Sequence, residues 1–283
     1  MTRWARNLAV VLLLAGAAGC ATTGSDPRDP HESFNRAVYT FNEGFDQDFG
    51  RPIATAYRDV VPAPIRTWVR NFFGNIADLW IGANNLLQGK PADTVTDWAR
   101  FAFNSTIGVF GINDVASEMG LEKHDEDFGQ TLGRWRLDDG AYLVWPFLGS
   151  SSTRDTVGLV PDFYFDPVLR HKPSGVRGFM TVTRAIGKRA DLLDASRILE
   201  EAALDKYVFQ RDAYLQRRRS LVYDGNPPRA AREVPRAEAD VEPSSAAPAA
   251  TVRPASQRVV SEVFETAVQL LESPASVAAI SGG

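Results

Sequence analysis

Cysteine is almost absent from this chain: Cys20 is the only one in 283 residues, so no disulfide forms within it. Histidine is nearly as scarce. His31, His124 and His171 lie far apart, none in an H-x-x-x-H pair, and zinc catalysis finds no support. Ser150, Ser151 and Ser152 follow Gly149, but no G-x-S-x-G elbow exists to hold a nucleophile. Gly129 and Gly133 are not followed by G-K-[ST], which excludes a phosphate loop. Glu126 and Asp127 are adjacent, and adjacent residues do not face each other on a helix, so they make a poor acid–base pair. No basic stripe or RNA-binding signature appears, and nucleic acid is not an expected partner. No internal repeat is present. Beyond the first twenty residues no apolar run reaches the ~18 residues of a membrane-spanning helix.

What is present begins at the N-terminus. Arg3 and Arg6 precede the apolar run Leu8 to Ala15, and Gly16 to Gly19 are small residues that lead directly into Cys20. That layout is an export signal whose core is too short to span a bilayer. A cysteine at the cleavage point fits lipid attachment better than a buried thiol. Residues 1–19 are therefore expected to be removed and Cys20 acylated. Ala17 stands where bacterial lipoboxes usually carry Leu. The mature type resembles lipoproteins with an N-acyl chain and an S-diacylglycerol. Each buried methylene contributes ~0.8 kcal/mol, and two or more chains anchor stably. Ala21, rather than Asp, follows the cysteine, which resembles the sorting rule for the outer membrane. Cleavage takes two of the 31 basic side chains, leaving 29 against 35 acidic, a net charge of −6.

Residues 20–30 are polar and turn-rich, a lipidated tether. Residues 31–226 are dense in apolar and aromatic side chains and form the predicted helical domain. Residues 227–257, rich in Pro, Ala, Arg and Glu, are expected to be disordered. Residues 258–283 hold a terminal amphipathic pattern, with Val259, Val263, Ala267 and Leu270 on one stripe.

Within the domain the period is helical. Pro64 suits a first turn, and Ile65, Trp68, Val69, Phe72, Phe73 and Ile76 share one face. Gly89 marks a stop and Pro91 a new start. Phe179, Val182 and Ile186 share another face, and a last helix is predicted over 204–222, ending in Arg217, Arg218 and Arg219 near its negative pole. Ser152 with Asp155, and the segment at Glu126–Asp127, read as helix starts. The run Tyr142 to Phe147 contains a proline and reads as a buried extended segment rather than a strand, so the fold class is all-α. The segments Trp80 to Leu87 and Trp98 to Phe110 are apolar on more than one face. Such helices are either wholly buried or face lipid. Asn84, Asn85 and Gln88 interrupt the first, and Asn104, Ser105 and Thr106 the second.

One stretch stands apart. Gly133, Arg134, Trp135, Arg136, Asp138, Asp139 and Gly140 put charges between glycines, just before the apolar YLVWPFLG. Two readings stand: a loop that meets lipid headgroups, since Arg donates well to phosphate, or a surface turn with local salt bridges.

An ordered set of motifs now resembles a family. Asp29-Pro30 with Glu32, Phe34-Asn35-Arg36 and Asn42 is similar to the opening of the MlaA/VacJ outer-membrane lipoproteins. The similarity continues through Arg51-Pro52, Val61-Pro62, Asn71-Phe72, Asn75, Leu87-Gln88-Gly89, Arg100-Phe101 and Asn104 to Gly108. It runs on through Asp114-Val115-Ala116, Glu126 to Gly133, Pro146, Gly149, Arg154-Asp155 and Asp166-Pro167. It ends at Arg189, Leu192-Leu193-Asp194, Asp212, Tyr214 and Gln216-Arg217-Arg218, so it covers about residues 29–224.

The resemblance implies a ring-shaped, all-α protein lying in the periplasm-facing leaflet of the outer membrane. It implies that misplaced outer-leaflet phospholipids pass through an amphipathic channel to a soluble periplasmic carrier of the Mla type. It implies trimeric porins as partners, and no catalysed reaction or cofactor. In the family a glycine-rich loop gates the channel. Here Gly133 to Gly140 departs from that pattern, because Arg134, Arg136, Asp138 and Asp139 replace small or neutral residues. The alternatives are a membrane-anchored, phospholipase-like enzyme and a porin-binding scaffold. A Cys20→Ser protein is expected to leave the outer-membrane fraction and lose function. Fractionation and a complementation assay check this, and full function from a soluble periplasmic form would contradict the anchor.

Overall fold

The structure is a computed structural model and describes residues 26–228. The export signal over 1–19, the acylation site Cys20 and the tail readings from residue 229 onward lie outside the described residues.

The domain is built mainly of helices. Helix α1 (Glu32–Phe45) runs through a π-helical turn (Asp46–Gly50) into α2 (Arg51–Val60). Helix α3 (Ala63–Leu87) and helix α4 (Pro91–Thr106) follow, then the short α5 (Val115–Glu118) and α6 (Phe128–Arg134). Strands β1 (Tyr142–Trp145) and β2 (Gly149–Ser152) come next, then α7 (Thr153–Phe165) and α8 (Pro167–Arg170). The chain continues through α9 (Ser174–Asp191), α10 (Leu193–Ala202) and α11 (Lys206–Val222).

Local sequence sets most of these boundaries. Pro64 lies in the first turn of α3 and Pro91 opens α4. Between them Gly89 takes φ +78°, which a side chain would resist. Asp127 accepts from the Gln130 N–H at 2.8 Å and Ser152 from the Asp155 N–H at 3.1 Å, so both predicted starts are real caps.

Two details differ from the sequence reading. Tyr142–Trp145 is a true strand, paired antiparallel with Gly149–Ser152 in the register Tyr142↔Ser152. Pro146 falls in the connecting turn, where no ladder N–H is needed, so it does not block pairing. The tether also ends sooner than residue 30, because Asp29 is fully buried. It accepts from Asn35 Nδ2 at 2.8 Å and from the Tyr207 hydroxyl, fixing residues 26–30 to the body.

The elements pack in a closed circuit. Helix α1 contacts β1, β1 pairs with β2, β2 meets α7, and α7 packs on α6. Helix α6 meets α3, α3 meets α9, α9 packs on α2, and α2 returns to α1 through the π turn. Ion pairs add to these contacts: Arg189–Asp46 at 2.6 Å joins α9 to the π turn, and Arg58–Asp194 at 2.9 Å joins α2 to α10.

The α6–α7 crossing depends on Gly158. A Cβ there would sit 2.6 Å from the Gly129 backbone nitrogen and 2.8 Å from its Cα. Backbone cannot yield as a flexible side chain can. Gly158→Ala is therefore expected to destabilise the domain by about 1–3 kcal/mol. Gly175→Ala, with nothing within 4 Å of the new carbon, should carry no such cost. Unfolding of both variants in detergent checks this, and equal midpoints would contradict the close crossing.

Candidate lipid-handling site

The interior of this domain is polar. Helix α3 buries Asn75, Asp78, Asn84 and Asn85, and helix α4 buries Thr94, Asp97, Arg100 and Asn104. The positions 75, 78 and 85, and 94, 97 and 104, recur near the helical period, so each helix has one polar stripe. The stripes face each other. Asn75 Nδ2 donates to Ser105 Oγ at 2.9 Å, and Asn85 Nδ2 donates to Asp97 at 2.7 Å. Gly82 leaves room for the Trp98 ring, whose Nε1 donates to the Leu79 carbonyl at 3.2 Å.

Arg100 is the centre of this seam and is 1% exposed. Its Nη2 donates to both oxygens of Asp114 at 2.9 Å, its Nη1 to Ser117 Oγ at 3.1 Å, and its Nε lies 3.6 Å from Asp78. Burial pushes the Asp78 carboxyl up, against the pull of Lys123 and Arg100. Burial also pushes on Asp114, but hydrogen bonds from Ser117 and Asn104, with Arg100, hold it below the usual carboxylate range. A second polar seam continues the first: Thr131 Oγ1 donates to Asn84 at 2.8 Å, and Gln88 and Lys90 hold Glu126 at 2.7 and 2.9 Å.

The apolar side chains are on the outside. Ile65, Trp68, Leu79, Leu86 and Leu87 of α3 are exposed, as are Val95 (67%) and Trp98 of α4. The turn after α4 presents Ile107, Val109 and Phe110 (75%). Val109 and Phe110 hold φ +55° and +58°, an uncommon conformation for non-glycine residues and a strained one for β-branched Val. On the α1–α2 run, Phe41, Phe45, Phe49 and Ile53 form an exposed stripe at intervals of four. Phe147 packs edge-on against Phe41 and Phe45, at centroid distances of 5.3 and 5.1 Å.

A water-soluble domain buries such faces. Helices in hydrocarbon gain nothing by hiding apolar side chains and associate through polar bonds and close packing. Polar seam inside and apolar surface outside is therefore the arrangement of a protein immersed in lipid. Among the described residues no helix is long and apolar enough to cross a membrane.

The charged stretch at 133–140 runs from the last turn of α6 toward β1. Gly133 and Arg134 belong to the last turn of α6, and Trp135 caps it. Gly133 abuts Val222 and Arg154, which leave no room for a Cβ. Trp135 Nε1 donates to the Leu87 carbonyl at 3.0 Å, tying the stretch to the end of α3. Arg134 lies 3.9 Å from Asp224, and Asp139 pairs with Arg154. Arg136 takes φ +70° and is exposed, as is Asp138. Gly140, at φ +68°, closes the stretch beside Thr153. The stretch is thus fastened at Trp135 and Asp139, with Arg136 and Asp138 at its free crest. The polar seam has no counterpart in the sequence reading. Asn84, Asn85 and Asn104 were read as interruptions of apolar runs; they are the buried face itself.

Together, the buried polar seam and the exposed apolar faces are those of a helical protein suited to a lipid surface. The comparisons carry this to a family. Residues 27–221 match the MlaA lipoprotein family, and the chain belongs to it. It is 36% identical over 214 residues to the intermembrane phospholipid transport system lipoprotein MlaA of Escherichia coli, covering 70% of this chain and 81% of the relative. The Shigella flexneri protein of that description is equally similar. A solved structure, described as the structural basis for maintenance of bacterial outer membrane lipid asymmetry, matches with a TM-score of 0.61 at 33% identity. It covers 70% of this chain and 99% of its own.

Asp162 joins α7 to two neighbours, accepting from Trp80 Nε1 at 2.8 Å and the Phe128 N–H at 3.0 Å. Burial raises its carboxyl to about 6, outweighing those hydrogen bonds. The unfolded value is about 3.9, so the folded state favours the protonated form. This contribution to stability is present below about pH 4 and is lost as pH rises through 6. Wild type should gain up to about 3 kcal/mol relative to Asp162→Asn as pH falls across that window. Parallel stability curves for the two proteins would contradict the shift.

Proposed function

We propose that this protein takes phospholipids from the outer leaflet of the outer membrane through an amphipathic channel and passes them to a soluble periplasmic carrier. It is an outer-membrane lipoprotein of intermembrane phospholipid transport, maintaining lipid asymmetry, and not an enzyme. The finer reading places the domain in the periplasm-facing leaflet, held by acyl chains on Cys20, beside a trimeric porin.

The observation that carries the reading is the polar seam of α3 and α4 under an apolar exterior. A charged headgroup dragged through hydrocarbon meets a large desolvation cost. Asn85, Asp97 and Arg100 are buried and already paired, so they hold α3 against α4 as a rigid wall rather than contact the headgroup, while Val95 and Phe110 keep the outside compatible with acyl chains. The crest at Arg136 and Asp138 is proposed to meet headgroups at the mouth of the channel. Its fastened ends favour electrostatic selection over large movement.

Deletion of the gene should increase phosphatidylethanolamine at the cell surface, read with an impermeant amine-reactive label, with lysophospholipid unchanged. Unchanged labelling would favour the scaffold, and a fall in lysophospholipid the enzyme. Replacing Arg134 and Arg136 by Ala should change labelling several-fold while leaving the helical content intact. Wild-type labelling in that variant returns the stretch to a surface turn.

A further inference from the structure

Outside the α3–α4 seam, an open cleft of about 820 Å³ lies at the junction of α7 and α8, lined by Tyr164, Phe165, Pro167, Arg170, His171 and Lys172. Its volume falls within the range of small-ligand sites. We propose that this cleft binds the phosphate of an anionic phospholipid headgroup.

Three observations support it. First, Arg170 is held in place. Its guanidinium lies 4.6 Å from the centre of the Tyr164 ring and its Nη1 donates to the Tyr164 carbonyl at 3.2 Å. Neither contact neutralises its charge, and other donors of the fork remain for a phosphate. Second, the neighbouring carboxylate is committed. Asp166 accepts from the Val168 N–H at 2.9 Å through one oxygen and from Arg184 at 2.6 Å through the other. Among the described residues no carboxylate forms an ion pair with Arg170, His171 or Lys172, whereas Arg154, Arg184, Arg189, Arg211 and Arg218 all have acidic partners. Third, the helices before and after the cations carry exposed apolar side chains. Val160, Phe163 and Tyr164 of α7 are exposed, as are Phe179 (72%) and Val182 of α9. Charge for a headgroup beside apolar surface for acyl chains is the pattern of a phospholipid rather than of a free anion. Two full cations select a net negative headgroup over a zwitterionic one.

The inference rests on the lipid-transport reading and adds a headgroup preference at a site apart from the seam. Full-length acylated protein in dodecyl maltoside is offered phosphatidylglycerol and phosphatidylethanolamine together, and retained lipid is counted by native mass spectrometry. Wild type is expected to retain phosphatidylglycerol preferentially. Each basic residue at an anionic surface contributes about fivefold, so Arg170→Ala with Lys172→Ala should lower that retention by about 25-fold. Lys172→Arg should keep it. All three side chains of Arg170, His171 and Lys172 are exposed, so unfolding midpoints should not move. Equal retention by wild type and the double variant overturns the proposal. So does displacement of the lipid by millimolar inorganic phosphate, which would make this a free-anion site. Either failure leaves the surface-labelling result of gene deletion untouched, so the two readings fail separately.

Discussion

The fold depends on keeping Arg100 charged and buried between Asp78 and Asp114. Removing such ions from water costs several kcal/mol each, and only close partners offset that cost. Asp114 supplies two hydrogen bonds at 2.9 Å, and Asp78, 3.6 Å away, is held in turn by Lys123. Asn104 completes the set, donating to Asp114 and accepting from the Ala116 N–H, each at 2.9 Å. These bonds tie α4 to α5, and the contact between α3 and α4 is fixed by directional bonds of its own, Asn75 to Ser105 at 2.9 Å and Asn85 to Asp97 at 2.7 Å. Directional bonds specify register. That register sets which faces of both helices point outward, and those faces carry Ile65, Leu79, Leu86 and Val95.

The same principle recurs around the circuit. Asp155 accepts from Arg154 at 3.0 Å, Arg218 at 2.8 Å and the Tyr214 hydroxyl, joining α7 to α11. Asn35 reads the β1 backbone, donating to the Tyr142 carbonyl at 2.9 Å and accepting from the Val144 N–H at 2.8 Å. Apolar clusters are correspondingly small: Ala54, Ala190 and Leu193 at one joint, and Tyr142, Val144 and Tyr207 at another. Polar bonding inside and apolar side chains outside give helices held together without an apolar core and a surface suited to acyl chains. Such a surface suits a family whose characterised relatives belong to an intermembrane phospholipid transport system.

Much of this was legible in the sequence. Pro64, Pro91, Asp127 and Ser152 marked helix starts that the structure keeps, because caps act through local geometry. The hairpin was missed because a proline beside four residues resembles a broken strand until its partner is known. The direction of each helix face was not legible. Apolar periodicity gives the same stripe whether it meets a core or lipid, and Trp98 and Val95 carry no local sign of the solvent they face. A signal did exist in Asn75, Asp78, Asn85, Asp97 and Asn104. Polar residues that keep helical register within an apolar segment form a face of their own. The 133–140 stretch was recognisable by charge, but its fastening through Trp135 to Leu87 joins residues far apart in sequence.

The most direct test asks what surrounds the outer faces of α4 and the turn that follows it. Single Val95→Cys and Phe110→Cys substitutions carry a nitroxide in the full-length acylated protein in phospholipid vesicles. Collision with oxygen and with a water-soluble nickel chelate is then compared. Immersion in the leaflet requires oxygen to relax both labels more effectively than the chelate. Ready access of the chelate at both positions would show an aqueous surface and contradict the inverted arrangement.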